Sequence, residues 1–311
     1  MAYKKIADYG VIGNNATVAL VGKDASVDWL CLPHMDSPSV FAAVLDDRRG
    51  GHFSVAPIAA WDSVQTYLPG TNILCTRFRT ATGECEVVDF MPVGDRVGSA
   101  CLMRRLRGLS GRVDVQLRCS PRPDYARVVP RWRPQLNGVW LLSAGTQRFF
   151  LASVPLVGWE QETARLEIVA GESVWLVFGE GSEERSPDVA HLEALFQQTC
   201  SYWRQWLARG RVGKYPTRGF WQAQLDRSAL LLKLLQFEQT GAIAAAATTS
   251  LPAIVYGTRN WDYRFSWLRD SSMTLHALAE LGHLEEVAHY VHWVEAICER
   301  YPVERLGVVY R

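Results

Sequence analysis

Residues 259–272 read RNWDYRFSWLRDSS, with four aromatic side chains, three arginines and two aspartates in fourteen positions. Flat rings beside fixed charges suit a sugar. Its ring has apolar C–H faces and a rim of hydroxyls. Aromatic side chains bury the faces, and charged forks hold the hydroxyls through strong, directional hydrogen bonds. Tyr263, Trp267 and Asp270 fall at i, i+4 and i+7, so in a continuous helix they share a face, with Arg269 beside it. Arg269 and Asp270 offer donors and acceptors together, as vicinal hydroxyls require. A core helix carrying a structural Arg–Asp pair has the same spacing, and spacing alone names no reaction.

The elements around this segment change character along the chain. Up to about residue 185, short runs rich in Val, Leu, Phe and Trp alternate with glycine-bearing turns. These turns fall at Gly22-Lys23-Asp24, Thr82-Gly83, Gly108 to Gly111, Ala144-Gly145 and Gly171-Glu172. That is hairpin punctuation, and many short antiparallel strands predict a sandwich or barrel. From Pro187 the period becomes helical: Leu192, Leu195, Phe196, Trp203, Trp206 and Leu207 line one helix that stops near Gly210. Further helices are predicted over 217–238, 270–281 and 284–300, the last two as an antiparallel pair. The expected organisation is a β domain over 1–185, a linker helix over 186–215 and an α domain over 216–311. Three helices with wide apolar faces do not cover one another and a β domain as well. The α domain is therefore expected to be incomplete, with Leu225, Leu232, Leu235, Leu278, Val291 and Val294 partly uncovered. The apolar tail GVVYR points the same way.

The 311 residues are 48% hydrophobic and 21% charged, with a net charge of +1, which is globular and nearly neutral. No strong field favours nucleic acid or an anionic membrane, and no window approaches a membrane span. MAYKKIADYGVIGNN has no apolar core after its lysines, so no secretory signal is expected. The cysteines at 31, 75, 85, 101, 119, 200 and 298 are scattered and include no C-x-x-C. Buried free thiols in a reducing, cytoplasmic setting fit better than a disulfide framework or a zinc site. His283, His289 and His292 lack the His-Glu-x-x-His spacing of a metal helix. The run from Asp46 to Gly51 reads as a solvated loop, and Gly10-x-x-Gly13 is no dinucleotide fingerprint.

TGAIAAAATTSLPAIVYGTRNWDYRFSWLRDSS closely resembles the start of the catalytic domain in glycoside hydrolase family 15, which contains bacterial and archaeal glucoamylases, glucodextranases and a group of trehalases. IADYGVIGNNATVALVGKDASVDWLCLPHMDSPSVFAAVLDDRRGGHF resembles the opening of their β domain, and ECEVVDFMPV is a third match. The resemblance runs through the whole chain in order. It implies a super-β-sandwich, a helical linker and the beginning of an (α/α)6 toroid. It also implies that Arg269 and Asp270 bind hydroxyls of a non-reducing-end glucose, with Tyr263 and Trp267 lining the same subsite.

The reaction so implied is inverting exo-hydrolysis of an α-glucosidic bond in α-glucan oligosaccharides or trehalose, without metal or cofactor. It needs an acid and a base about 6.5–9.5 Å apart. In the family both are glutamates downstream of this segment, and both are expected beyond Arg311. The 311-residue chain alone is then expected to be inactive, with a separately encoded C-terminal half as one source of the missing groups. A non-catalytic truncated or split-gene product, acting as a β-sandwich carbohydrate-binding or structural module, is the alternative. Trp159-Glu160 is a decoy for the family's Trp-Glu, expected in an exposed turn. Glu280, Glu285, Glu286, Glu295 and Glu299 read as solvated helix faces. Ala253 and Phe265-Ser266 depart from the family pattern, which usually has an acidic residue and Tyr-Cys there.

Overall fold

The computed structural model describes residues 3–94, 101–135, 138–181, 187–210, 219–250, 254, 257–301, 307 and 309–310. Contacts divide the chain into two units, Met1–Cys200 and Ser201–Arg311.

Strands β1 to β5 run Tyr9–Gly13, Val18–Gly22, Ser26–Cys31, Ser39–Phe41 and His52–Pro57. Strands β6 to β9 run Trp61–Tyr67, Leu74–Thr80, Gly83–Phe90 and Cys101–Ser120. A four-residue turn, α1 (Pro123–Ala126), precedes β10 to β15 at Arg131–Pro134, Trp140–Ala144, Gln147–Val154, Trp159–Glu160, Thr163–Val169 and Ser173–Glu180. All the pairings are antiparallel. The hairpins expected at 22–24, 82–83 and 144–145 join β2 to β3, β7 to β8 and β11 to β12.

Two expected turns are corrected. Gly108 to Gly111 does not reverse the chain but lies inside the 20-residue strand β9. Before this point β9 pairs with β8 and β15; after it, with β5 and β14. One strand thus belongs to two sheets. The glycines are there because neighbouring backbone crowds the crossing: a Cβ on Gly108 would run into the Val169 carbonyl, and Gly111 sits at φ +58 against Thr82. Gly171-Glu172 likewise closes no hairpin, because β14 and β15 pair with different halves of β9.

The inner faces of the two sheets supply one apolar core. Val27, Phe41, Phe53 and Val55 on one side meet Phe78, Val87, Phe149 and Phe178 on the other. Phe149 stacks on Phe178 with centroids 5.9 Å apart. Arg104, on β9, is fully buried and grips Asp89 through Nε at 2.7 Å and Nη2 at 3.2 Å. It also donates to the carbonyls of Ala25 and Phe53, so the inter-sheet charge is satisfied from four directions. Trp159 belongs to this core, edge-on to Phe53, and only Glu160 is exposed; the expected exposed turn is wrong for the tryptophan. The outward face around Phe90, Trp175 and Val177 is covered by Leu192, Leu195 and Phe196 at the start of helix α2 (Val189–Arg209). Five of the seven cysteines are buried, Cys75 is half-buried and Cys298 exposed. Burial pushes the Cys85 thiol up to about 12.

In the second unit, α3 (Phe220–Leu234), α4 (Leu268–Glu280) and α5 (Leu284–Arg300) follow, with short strands β16 (Ser266–Trp267) and β17 (Val309–Tyr310). α3 ends four residues earlier than expected because Gln236 leaves the helix to bridge Ile243. A small core gathers Leu235, Ile243 and Tyr290, with Leu275, Trp293 and Val294 against it. Leu235, in this core, and Leu278 are buried, contrary to expectation, while Val291 is exposed. Among the described residues, no helix is long and apolar enough to cross a membrane.

Candidate functional site: the ring and charge cluster before helix α4

Residues 244–250 and 261–265 lie side by side. Ala246 N–H donates to the Tyr263 carbonyl at 2.7 Å, Ala245 N–H to Phe265 at 3.1 Å and Ser250 N–H to Trp261 at 2.9 Å, with Thr249 bridged to Asp262. Small residues in AAAATTS let the backbones approach. Asp262 fixes the turn that follows. Its carboxylate accepts the Arg264 backbone N–H at 3.0 Å, Nε at 2.9 Å and Nη2 at 2.7 Å. The Arg264 side chain is only 3% exposed, so this fork is structural and desolvated.

Trp267 is anchored to the same turn, its indole N–H donating to the Asp262 carbonyl at 3.0 Å. Its ring meets two others. Trp261 is edge-on with centroids 6.0 Å apart, and Tyr263 is tilted at 5.5 Å. β17 pairs with β16, matching Ser266 to Tyr310 and Trp267 to Val309. Trp293 stands edge-on to Tyr310 at 5.8 Å.

Helix α4 begins immediately after. Trp267 itself is extended, at φ −102 and ψ 119, so Tyr263, Trp267 and Asp270 do not share one helix. This corrects the expected face. The rings of Tyr263 and Trp267 meet instead through the Asp262–Arg264 turn. Arg269 and Asp270 occupy the first helical turn and pair at 3.1 Å, their side chains 73% and 32% exposed. A carboxylate in that turn suits the unpaired N–H groups of the helix start. Ser272 Oγ donates to the Arg269 carbonyl at 2.7 Å. Ser266 and Ser271 are buried with hydroxyls 3.2 Å apart, which explains why a serine is tolerated at 266. Ala253 lies outside the described residues.

Sequence reasoning passed over Trp261, Asp262 and Arg264. The Asp-x-Arg spacing inside an aromatic loop was the available signal, since two residues let a fork fold back onto its own turn. It also misjudged Glu286, which is buried at 6% exposure, not solvated. Its Oε1 accepts the Trp206 indole N–H at 2.6 Å and faces Lys233 Nζ at 3.3 Å. Burial pushes the Glu286 carboxyl up, but the Lys233 ammonium and the Trp206 hydrogen bond outweigh it and hold it below the usual range. Glu285 is exposed and paired with Arg209 at 2.9 Å; Glu280, Glu295 and Glu299 are exposed. His283 stacks on Trp206, 3.8 Å between centroids and 6° from parallel. Among the described residues, no three metal-ligating side chains converge.

The family model for the trehalase-like N-terminal region matches residues 2–198, and that for glycosyl hydrolases family 15 matches residues 222–311. The trehalase of Mycolicibacterium smegmatis is 33% identical over 97% of this chain and 49% of its own length. The trehalase of Thermoplasma volcanium is 30% identical over 93% of this chain and 47% of its own. Trehalase 1 of Sulfolobus acidocaldarius is 32% identical over 93% and 48%. The chain thus spans about half the length of the curated relatives it matches. A bacterial glucoamylase solved in complex with acarbose superposes with a TM-score of 0.63 at 13% identity, covering 96% of this chain and 50% of that one, and so shares the fold. The chain therefore belongs to the family with the trehalase-like N-terminal region, which takes up most of its length, and the segment that follows is matched by glycosyl hydrolases family 15.

Proposed function

We propose that residues 261–270 contribute the subsite for the non-reducing-end glucose of trehalose or a short α-glucan, in an enzyme that hydrolyses α-glucosidic bonds with inversion. The observation that carries this reading is Trp267, pinned by its indole N–H and flanked by Trp261 and Tyr263, directly before the exposed Arg269–Asp270 pair. The rings cover a sugar face, Arg269 donates to two vicinal oxygens, and Asp270 accepts from a hydroxyl. Tyr263 keeps Trp267 in place. The acid and base, about 6.5–9.5 Å apart in an inverting enzyme, are assigned to neither unit. Glu286 is already committed to Lys233 and Trp206, and Glu285 to Arg209. A C-terminal half of the catalytic domain, continuous or separately encoded, supplies them in this reading.

Glucose release from trehalose, maltose, isomaltose and starch by the purified 311-residue chain tests the assignment, together with trehalose binding by calorimetry. The expected result is no turnover. Where binding is measurable, Arg269→Lys and Asp270→Asn each weaken it at least about tenfold, since a charge-assisted hydrogen bond is worth about 1.5–3 kcal/mol and lysine lacks the fork. Robust turnover, or unaltered binding in both variants, would overturn it.

A further inference from the structure

The outer face of the β unit carries a second concave site. Strand β5 alternates, turning Phe53 and Val55 into the core and His52, Ser54 and Ala56 outward. Ser26 lies opposite Ser54 on β3, and Asp28 follows two residues on, so Ser26 and Asp28 rise on the same face. The N-terminal segment and the start of β6 wall this patch with the rings of Tyr3, Tyr9 and Trp61, enclosing a pocket of about 180 Å³. A second pocket of about 320 Å³ adjoins it, sharing Asp47 and His52.

The charges in the first pocket are already internally satisfied. Asp28, 4% exposed, accepts Ser26 Oγ at 2.6 Å on one oxygen, and Tyr9 Oη at 2.8 Å together with Lys4 Nζ on the other. Lys4 also bridges Asp24 at 2.8 Å. The pocket is therefore no sink for a bare cation or anion. It offers a rigid, pre-oriented set of hydroxyls and carboxylate edges. Burial holds the His52 imidazole below its usual pKa, so near neutral pH the ring has one donor and one acceptor, the same pairing as a hydroxyl. Trp61 is 36% exposed, edge-on to Phe78 at 5.0 Å, so its position is fixed while part of its ring stays open. Open aromatic surface beside fixed donors and acceptors matches a pyranose, with its apolar face and ring of hydroxyls.

We propose that this pocket on β3, β5 and β6 is a saccharide-binding site of the β unit, taking one neutral sugar residue against Trp61 with its hydroxyls toward Ser54 and His52. It is formed by residues 3–61 and does not rest on the cluster at 261–270.

The test is titration of the ¹⁵N-labelled full chain with maltotriose, following the Trp61 indole N–H resonance, assigned by its loss in Trp61→Phe. A saturable shift is expected, retained in Trp267→Ala and weakened at least about fivefold in Ser54→Val, which suits a strand but removes a hydroxyl. Trp61→Ala, checked for an unchanged thermal midpoint, should lose maltotriose-induced shifts at the Ser54 and His52 amides. A Trp61 signal unmoved by maltotriose, a linear unsaturable shift, or equal shifts in wild type and Ser54→Val would each overturn the proposal. So would a response to tetramethylammonium in place of the sugar. Loss of the shift in Trp267→Ala would move the binding to the other cluster and also refute it.

Discussion

Replacing Glu286 by glutamine isolates the charge of a buried pair while keeping its shape. Glutamine still presents an oxygen to the Trp206 indole, so that 2.6 Å hydrogen bond has an acceptor. Lys233, 7% exposed at its side chain, loses the carboxylate 3.3 Å from its ammonium. Breaking a buried pair from one side costs about 3–5 kcal/mol, because the remaining charge stays desolvated. Glu238 still lies 3.5 Å from Lys233 but is 58% exposed, so it recovers only about 1 kcal/mol. The expected loss for Glu286→Gln is therefore about 2–4 kcal/mol. Lys233→Met alone should cost a similar amount, leaving the carboxylate buried. The double variant should return to within about 1 kcal/mol of wild type, since no uncompensated charge is left. Urea unfolding followed by far-ultraviolet circular dichroism at the helical minimum measures all three, with hydrogen exchange at α3 and α5 locating the change. A loss below about 0.5 kcal/mol in the single glutamine variant, or strict additivity in the double, would show that the pair is solvated and the argument mistaken. The pH dependence has a definite sign. The folded Glu286 pKa is depressed, so its stabilisation is complete above the unfolded value of about 4.3 and is lost as pH falls through the folded one.

Burial also depresses the His283 pKa, with Glu286 opposing it. Stability linked to this neutral imidazole is full above about 6.5 and declines as pH falls toward the folded value, and His283→Phe, which keeps the stack on Trp206, should flatten that slope in thermal melts. Gly108→Ala should destabilise the β unit by about 2–4 kcal/mol, because its methyl meets the Val169 carbonyl, whereas Gly158→Ala, with open space around it, should stay within about 1 kcal/mol; urea melts distinguish them. Limited proteolysis read by mass spectrometry should cut first beyond residue 210, where Phe220, Trp221, Met273 and Leu284 are each more than 60% exposed; uniform protection through the helices would refute the expectation of an incomplete α domain.

Three hairpins were legible because their turns use glycine beside a polar residue and reverse the chain locally. Gly108 to Gly111 carries the same signal for another reason. A turn and a strand crossing close to foreign backbone both exclude Cβ, and local sequence does not separate them. The ring and charge cluster before α4 was legible by residue type but not by geometry. The helical period extends backward through Trp267, whereas the stretch is held extended by residues 244–250 and by residues 309–310, outside the window in which a period is read. Glu286 was misread for a related reason: its partner Lys233 is over fifty positions away, and a helical wheel shows only which residues share a face.

The strand shared by both sheets makes the β unit kinetically indivisible. Each half of β9 has a partner from a distant stretch: β5, some sixty positions earlier, and β14, about fifty later, on one half, and β15, about seventy later, on the other, where its second partner is the preceding strand β8. Neither sheet closes without β9, and once it is seated both are tied together through Arg104, which donates from one sheet to the Ala25 and Phe53 carbonyls of the other. Pairings of such sequence separation must meet a large loop-closure entropy before they are rewarded, so assembly is slow and all-or-none. Amides between Cys101 and Ser120 should therefore exchange with deuterium only when the whole unit opens, at one common free energy, while those of edge strands β1 and β10 exchange through local fraying. β9 acts as the keystone whose release is global unfolding.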